Sequence, residues 1–196
     1  GSYSSFANPW SNDARVPFIF PFHLNKHDCT GNSCDQLMAG TYRIWETNTG
    51  GLNNNSWYIN SPDLTKGVLF DRSIINQMHY DMEDGSVAIV GTNDGNVYYG
   101  FNMGAGTANS ANWVNVTDNN TVLPNRPVLD VVSHQNTGYA AVGGFDQNTP
   151  TTPGHVFQVS CDANCQNFTW ADKSGDLPNI PVNSVMVNPN FTEMVF

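Results

Sequence analysis

Acids outnumber bases in this 196-residue chain, 17 Asp and Glu against 7 Lys and Arg. Two carboxylates facing each other across a sugar can hydrolyse a glycosidic bond, so the acids are the first place to look for chemistry. Asp94 and Asp146 follow Gly91 and Gly143 at the same interval, in corresponding turns of two repeated units, which assigns both to one rim of the fold. Their local sequences, Asn93-Asp94-Gly95 and Phe145-Asp146-Gln147-Asn148, are also good turn formers, and an aspartate there is expected first to cap its own turn. Arg43 follows Gly40 in the same way. Asp63, Lys66, Asp71, Arg72, Asn125, Arg126 and Asn179 belong to the segments that join one unit to the next. Arg43, Asp94, Asp146, Arg72 and Arg126 therefore mark the face expected to receive a ligand, since loops on a rigid scaffold carry function.

The cysteines form two tight couples, Cys29 with Cys34 and Cys161 with Cys165, each in a polar turn. Zinc draws thiolate couples that converge on one ion, whereas these lie in separate loops, so two local disulfides are expected. Oxidised thiols favour an exported protein. His23, His27, His79, His134 and His155 show no paired metal spacing, and Asp81-Met82-Glu83-Asp84-Gly85 lacks the spacing of a calcium loop. That stretch reads as the solvated tip of a hairpin. No metal or cofactor is expected, with calcium there the one option left open. No nucleophile elbow, phosphate loop or dinucleotide fingerprint occurs.

Charged residues are only 12% of the chain, against roughly 25% in an average soluble domain. The few Lys and Arg are scattered singly, so no basic stripe is offered to phosphates and nucleic acid is excluded as a partner. No apolar run approaches the roughly 18 residues of a membrane helix. Polarity rests instead on Asn, Thr, Ser and Gly, a surface suited to a secreted or cell-surface β-protein. Asn54, Asn115, Asn119, Asn167 and Asn190 each open an Asn-x-Ser/Thr sequon that permits glycosylation in a eukaryotic secretory route.

The elements that must position these residues are repeated. Leu123-Pro-Asn-Arg-Pro-Val128 recurs as Leu177-Pro-Asn-Ile-Pro-Val182 one unit later, and each copy runs into an apolar strand. A polar turn and a second apolar strand follow, closed by Gly40, Gly91 and Gly143 in successive units. A third strand comes next (Tyr42–Glu46, Asn96–Tyr99, His155–Val159), and then a tryptophan opens the fourth: Trp57, Trp113 and Trp170. The earliest first strand is read as Val16–Phe20 and the latest as Val182–Val187. Four short strands in a unit of about 50 residues is the signature of a β-propeller blade. The tryptophan supplies a buried plate between blades, and the glycine lets the chain turn where two blades crowd together.

The segments Met38-Ala-Gly40-Thr41-Tyr-Arg-Ile-Trp-Glu-Thr47-Asn-Thr-Gly50-Gly51 with Trp57, and Ile89-Val-Gly91-Thr92-Asn-Asp-Gly95, resemble the BNR/Asp-box propellers, which include sialidases, sortilin-type receptor propellers and xyloglucanase-type hydrolases. The resemblance spans nearly the whole chain at the level of the superfamily. It departs from the pattern at Thr49, where the box carries aspartate, and in the third unit, where the Cys161–Cys165 loop replaces that turn. A sialidase is implied to hold its substrate carboxylate with an arginine cluster beside a Tyr–Glu pair; Arg15, Arg43, Arg72 and Arg126 are the chain's arginines, and no Tyr–Glu arrangement is evident.

The expected architecture is all-β, a partial propeller of about three and a half four-stranded antiparallel blades. Residues 1–14 would end a preceding blade or form an extension, 15–71, 72–126 and 127–180 would be blades, and 181–196 would begin another. Further blades of the same propeller, or a complementary fragment, are expected to complete the ring. The functional expectation is an exported, non-catalytic module that binds glycan or protein, or builds an extracellular assembly. Exposed Tyr98, Tyr99 or Phe145 on a cleft would favour sugar. The alternative is a fragment of a BNR-type glycoside hydrolase acting on extracellular polysaccharide, with Asp94 and Asp146 as its carboxylates.

Overall fold

The computed structural model describes residues 9–31 and 33–195, so residues 1–8 of the expected first segment lie outside it. Among the described residues there is no α-helix, only short 3₁₀ turns between strands. The first sheet contains β1 (Phe22–Leu24), β4 (Leu37–Gly40), β5 (Ile44–Thr47) and β6 (Tyr58–Ile59), with the small hairpin β2 (Cys29–Thr30) and β3 (Ser33–Cys34) inserted after β1. The second holds β7 (Ile75–Tyr80), β8 (Val87–Thr92), β9 (Val97–Phe101) and β10 (Asn112–Asn115). The third holds β11 (Val128–His134), β12 (Thr137–Val142), β13 (Val156–Cys161) and β14 (Phe168–Asp172). A last pair, β15 (Val187–Asn188) and β16 (Phe191–Val195), follows. Within every four-stranded sheet the strands pair antiparallel in chain order, and the sheets do not close into a ring.

Period-2 side-chain alternation explains how the sheets stack. Ala88 and Val90 of β8 face the first sheet, where they join Met38, Ile44 and Leu64 in one core. Ile89, between them, points the other way and joins Val97, Val128, Val131, Phe157 and Trp170 in a second core shared with the third sheet. Central strands are thus buried on both faces and read as near-continuous Val, Ile, Ala and Tyr. Each fully buried aliphatic side chain stabilises the stack by about 1.5–3 kcal/mol. Strand β7 lies against β1 on one side and β11 on the other, so the first strands of successive sheets are neighbours.

The repeat glycines sit where these sheets approach most closely. A Cβ on Gly40 would come within 3.1 Å of Ile75 Cγ2, and one on Gly91 within 2.5 Å of Val128 Cγ1, in each case the first strand of the next sheet. The tryptophans bridge the same junctions. Trp113 Nε1–H donates to the carbonyl of Asn60 at 2.7 Å, and Trp170 Nε1–H donates to that of Val116, each acceptor being the residue just after the fourth strand of the preceding sheet.

Two strands differ from expectation. The first strand of the first sheet is Phe22–Leu24, not Val16–Phe20: Gly40 N–H donates to the carbonyl of Pro21 at 3.0 Å, as Gly143 N–H does to that of Pro127 at 2.8 Å, so Pro21 rather than Pro17 sets the register. Phe18 and Ile19 stay in solvent. At the other end only Val187 of the expected Val182–Val187 strand pairs, together with Asn188 beyond it, because Val185 N–H is taken by Asp130 Oδ2 at 3.0 Å and Val182 N–H points at the carbonyl of Val142.

Candidate functional site

The turns between second and third strands and the links between sheets lie at one end of the stack, and the expected ligand residues there hold their own loops. Asp94 is buried and accepts from Thr92 Oγ1 at 2.7 Å and from Lys66 N–H at 2.9 Å, tying its turn to the preceding link. Asp146 accepts from Gly154 N–H at 2.9 Å and lies 3.4 Å from His155 Nε2 and 3.7 Å from Arg126. Asn179 Oδ1 accepts from Asp146 N–H at 2.9 Å. Arg126 is buried, donates to the carbonyl of Gly154, and burial lowers its pKa while Asp146 raises it. Arg43 pairs with Asp13 and lies over the Tyr42 and Trp45 rings. Arg15 pairs with Asp63, and the side chains of Arg72 and Asp71 are exposed.

Beside this rim opens a polar cavity of about 620 Å³ between the link at Thr65 and Lys66, the outer half of β9, and the link after β10. Tyr98 comes from β9, Asn96 from the residue just before it, Asn115 from the end of β10, and Thr117 to Asn120 from the link. The strands fix Tyr98 and Asn115; the link is shaped by three successive residues in the left-handed region, Asp118, Asn119 and Asn120, at φ of 60°, 57° and 62°. Asp and Asn tolerate that region better than other side chains. Lys66 Nζ donates to Asn125 Oδ1 at 2.7 Å and Asn120 Oδ1 at 3.2 Å. Burial lowers its pKa, against the raising effect of Asp94 and Asp118. Tyr98 is half-buried, takes a hydrogen bond from Asn115 Nδ2 at 3.2 Å, and has its phenol pKa raised by burial. The cavity thus combines amides, hydroxyls, one ammonium and one aromatic ring. Lys66, Tyr98, Asn115 and Asn119 were legible as individual residues; Thr65, Asn96, Thr117, Asp118 and Asn120 were not, the Asp118-Asn119-Asn120 run being their one local signal. Of the three aromatics whose exposure would favour sugar, Tyr99 is in the core because it alternates with Tyr98 along β9, whereas Phe145 is 48% exposed.

Glu46 carries the densest polar network and was not singled out by sequence. Its side chain is fully buried in β5. Oε1 accepts from Gln36 Nε2 at 2.9 Å, Tyr80 OH at 2.8 Å and Gly104 N–H at 3.0 Å; Oε2 accepts from Asn60 Nδ2 at 2.6 Å and Tyr58 OH at 3.1 Å. Tyr80 and Gly104 belong to the second sheet and its hairpin, so the carboxylate pins two sheets together. Burial, reinforced by Glu46, pushes the Tyr58 and Tyr80 phenols well above their usual range. The available signal was Glu46 sharing its strand face with Ile44, which predicts burial.

At the opposite end, both expected disulfides are present, Cys29–Cys34 and Cys161–Cys165. Asp81 departs from the expected solvated tip: it is 2% exposed, and its Oδ1 accepts from Glu83, Asp84 and Gln135 N–H, the last from the third sheet. The first strands bring His23 and His79 together, ring centroids 4.0 Å apart, although they are distant in sequence. Among the described residues no three His, Cys, Asp or Glu side chains are grouped to hold a metal ion. Asn54, Asn115, Asn119, Asn167 and Asn190 are all exposed.

No protein-family model matches the chain, and no curated protein matches it. Among solved structures it is similar in fold to Sqt1 of Chaetomium thermophilum, with a TM-score of 0.53 and 12% identity, over 93% of this chain and 42% of that one. The likeness concerns the fold alone. The chain spans less than half the length of Sqt1.

Proposed function

We propose that this chain is part of an exported β-propeller that binds a neutral glycan and performs no catalysis of its own. The tandem four-stranded sheets, with first strands adjacent and glycines at each junction, support the propeller reading, as does the fold likeness to Sqt1, a WD40-type propeller. The BNR/Asp-box resemblance remains a proposal about lineage. Two disulfides and exposed sequons support export, and among the described residues no helix is long and apolar enough to cross a membrane.

The observation that carries the binding reading is the cavity around Tyr98. A pyranose offers hydroxyls at its rim and C–H groups on its faces, and this cavity offers amides and hydroxyls around an accessible ring. A few placed polar groups in a concave site are how small ligands are oriented. Asp94 and Asp146 support the non-catalytic reading, since both carboxylates are engaged by their own turns and, for Asp94, by the preceding link. Titration of unglycosylated protein with cellohexaose, mannohexaose and maltohexaose, followed by amide chemical shifts, tests the idea. One sugar should shift resonances of residues 96–98 and 115–120, and Tyr98→Ala should weaken it at least tenfold, about 1.4 kcal/mol. No shift with any neutral oligosaccharide refutes glycan binding, and release of reducing ends refutes the non-catalytic reading.

A further inference from the structure

Of the five exposed sequon asparagines, two line the polar cavity, Asn115 and Asn119. Asn54 lies in the 3₁₀ turn before β6, Asn167 just before β14 and Asn190 between β15 and β16, away from its lining. Asn119 belongs to the left-handed link, whereas Asn115 ends β10, which pairs with β9 alone and forms an edge of the second sheet. Asn115 stands directly opposite Tyr98, so the two side chains share a face with their Cβ atoms about 4.5–5.5 Å apart. Both ends of its amide are oriented. Oδ1 accepts from Thr117 N–H at 2.9 Å, and Nδ2 donates one hydrogen to Tyr98 OH at 3.2 Å. An amide nitrogen carries two hydrogens, and the second has no acceptor among the described residues, at a position open to solvent.

We propose that Asn115 is a modification site: it carries an N-linked glycan whose first N-acetylglucosamine folds back over Tyr98 and fills the cavity. The transfer joins Asn115 Nδ2 to the anomeric carbon of a lipid-diphosphate-linked oligosaccharide. That carbon's bond to the diphosphate oxygen breaks, the lipid diphosphate leaves, and one amide proton is released. The remaining N–H still donates to Tyr98 OH, which holds the linkage beside the ring. One C–H face of the sugar then meets the ring, and its hydroxyls and acetamide meet Lys66, Asn96 and Asn120. The cavity of about 620 Å³ lies within the roughly 300–1,000 Å³ of small-ligand sites. Thr117, the hydroxyl residue of the sequon, is 4% exposed and its Oγ1 accepts from Val97 N–H at 3.0 Å, so transfer precedes the docking of β10 on β9. A tethered group acts at an effective concentration in roughly the millimolar range, so a free oligosaccharide must displace the chain's own sugar. The inference rests on the reading of this cavity as a sugar site and adds that modification closes it.

Secretion of the chain from a eukaryotic host, trimming with an endoglycosidase that leaves a single N-acetylglucosamine, and peptide mass spectrometry test the inference. Asn115 should carry the sugar. In NMR spectra of the trimmed protein, its sugar protons should show cross-peaks to the Tyr98 ring and ring-current shifts that sugars at Asn54 and Asn167 lack. Tyr98→Phe should keep these contacts, Tyr98→Ala should abolish them, and Asn119→Gln should leave them unchanged, with unaltered amide shifts in the third sheet showing that each variant is folded. An unmodified Asn115, or an Asn115 sugar as free in solution as that on Asn54, overturns the proposal. The trimmed protein should also bind the oligosaccharide that the bare, bacterially made chain binds at least tenfold more weakly, and equal affinity overturns it. If the bare chain binds no oligosaccharide while the Asn115 sugar still contacts Tyr98, the glycan-binding function fails and this inference stands.

Discussion

Glu46→Gln changes one oxygen for an amide nitrogen at the centre of the first junction, and the structure sets its cost. The five neighbours of Glu46 all donate to it. Their orientations are held from behind. Asn60 Oδ1 accepts from Ser110 N–H, Ser110 Oγ and Ala111 N–H at 2.9–3.1 Å, so the Asn60 amide cannot flip without losing three bonds. Gln36 Oε1 accepts from Asn25 Nδ2, which also donates to the carbonyl of Gly85. Placing the new NH₂ on the Oε1 side opposes the Gly104 and Gln36 donors, so it goes to the Oε2 side, where Tyr58 can rotate to accept but Asn60 Nδ2 cannot. One buried donor left without an acceptor costs about 1–3 kcal/mol. The remaining bonds weaken as a charged acceptor becomes neutral, although losing a buried charge removes a desolvation penalty that offsets much of this. The net expectation is about 3 kcal/mol, or a melting temperature lower by about 6–12 °C for a chain of this size. Urea titration and thermal melting measure it, with Glu83→Gln, an exposed acid, as control. A double-mutant cycle with Tyr80→Phe should give a coupling of at least about 1 kcal/mol. A loss no larger than that of Glu83→Gln would show that Glu46 does not hold the junction.

The other expectations concern close approach and titration. Gly91→Ala should destabilise by about 1–3 kcal/mol, because its Cβ would sit 2.5 Å from Val128 Cγ1 and the β-branched Val128 has little room to move; Gly143→Ala should cost less, since it meets only the flexible Leu129 at 3.0 Å, and equal urea midpoints for the two would contradict this. Burial first, then His79 and Lys26, hold the His23 imidazole down at about 3 against 6.5 in the unfolded chain. The folded ring stays neutral where the unfolded one gains a proton, so stability is full above about pH 6.5 and falls by up to about 1.4 kcal/mol per pH unit toward pH 3. His23→Gln should flatten that acid limb between pH 6.5 and 4.5 in urea titrations; an unchanged limb would assign it elsewhere.

What could be read in the sequence is what acts locally. Gly91 excludes a side chain and Trp113 supplies one, and both recur at a fixed place in each unit, so the repeat exposes them. Strand alternation likewise separates Ile89 from Ala88 and Val90. The first strand was misplaced because Pro17 and Pro21 both precede aromatic residues, and only the pairing of Pro21 with Gly40 across the sheet chooses between them. The polar cavity was visible only as scattered residues: its walls come from two links and a strand, and its shape from the left-handed run Asp118 to Asn120. Glu46 escaped for the same reason, since all five of its donors lie on other strands or links.

A scarcity of cations links these features. With 7 Lys and Arg for 17 acids, most carboxylates go without an ion pair, and an unpaired buried charge is destabilising unless N–H or O–H groups replace its water. The chain supplies neutral donors instead. Asp81 takes three backbone N–H groups, Asp94 a hydroxyl and a backbone N–H, and Glu46 two amide side chains, two phenols and a backbone N–H. Asp13 adds Thr41 Oγ1 and Trp45 Nε1 to its pairing with Arg43. Three of these four acids bind across a sheet junction or between a sheet and the preceding link, where apolar packing alone would let the layers slide. Directional bonds to a carboxylate fix the register of one sheet on the next, and they need the Asn, Gln, Thr and Tyr that dominate this composition. The amide-rich, lysine-poor character that first suggests a secreted surface therefore has an internal cause as well: part of it is the donor set that orders the stack.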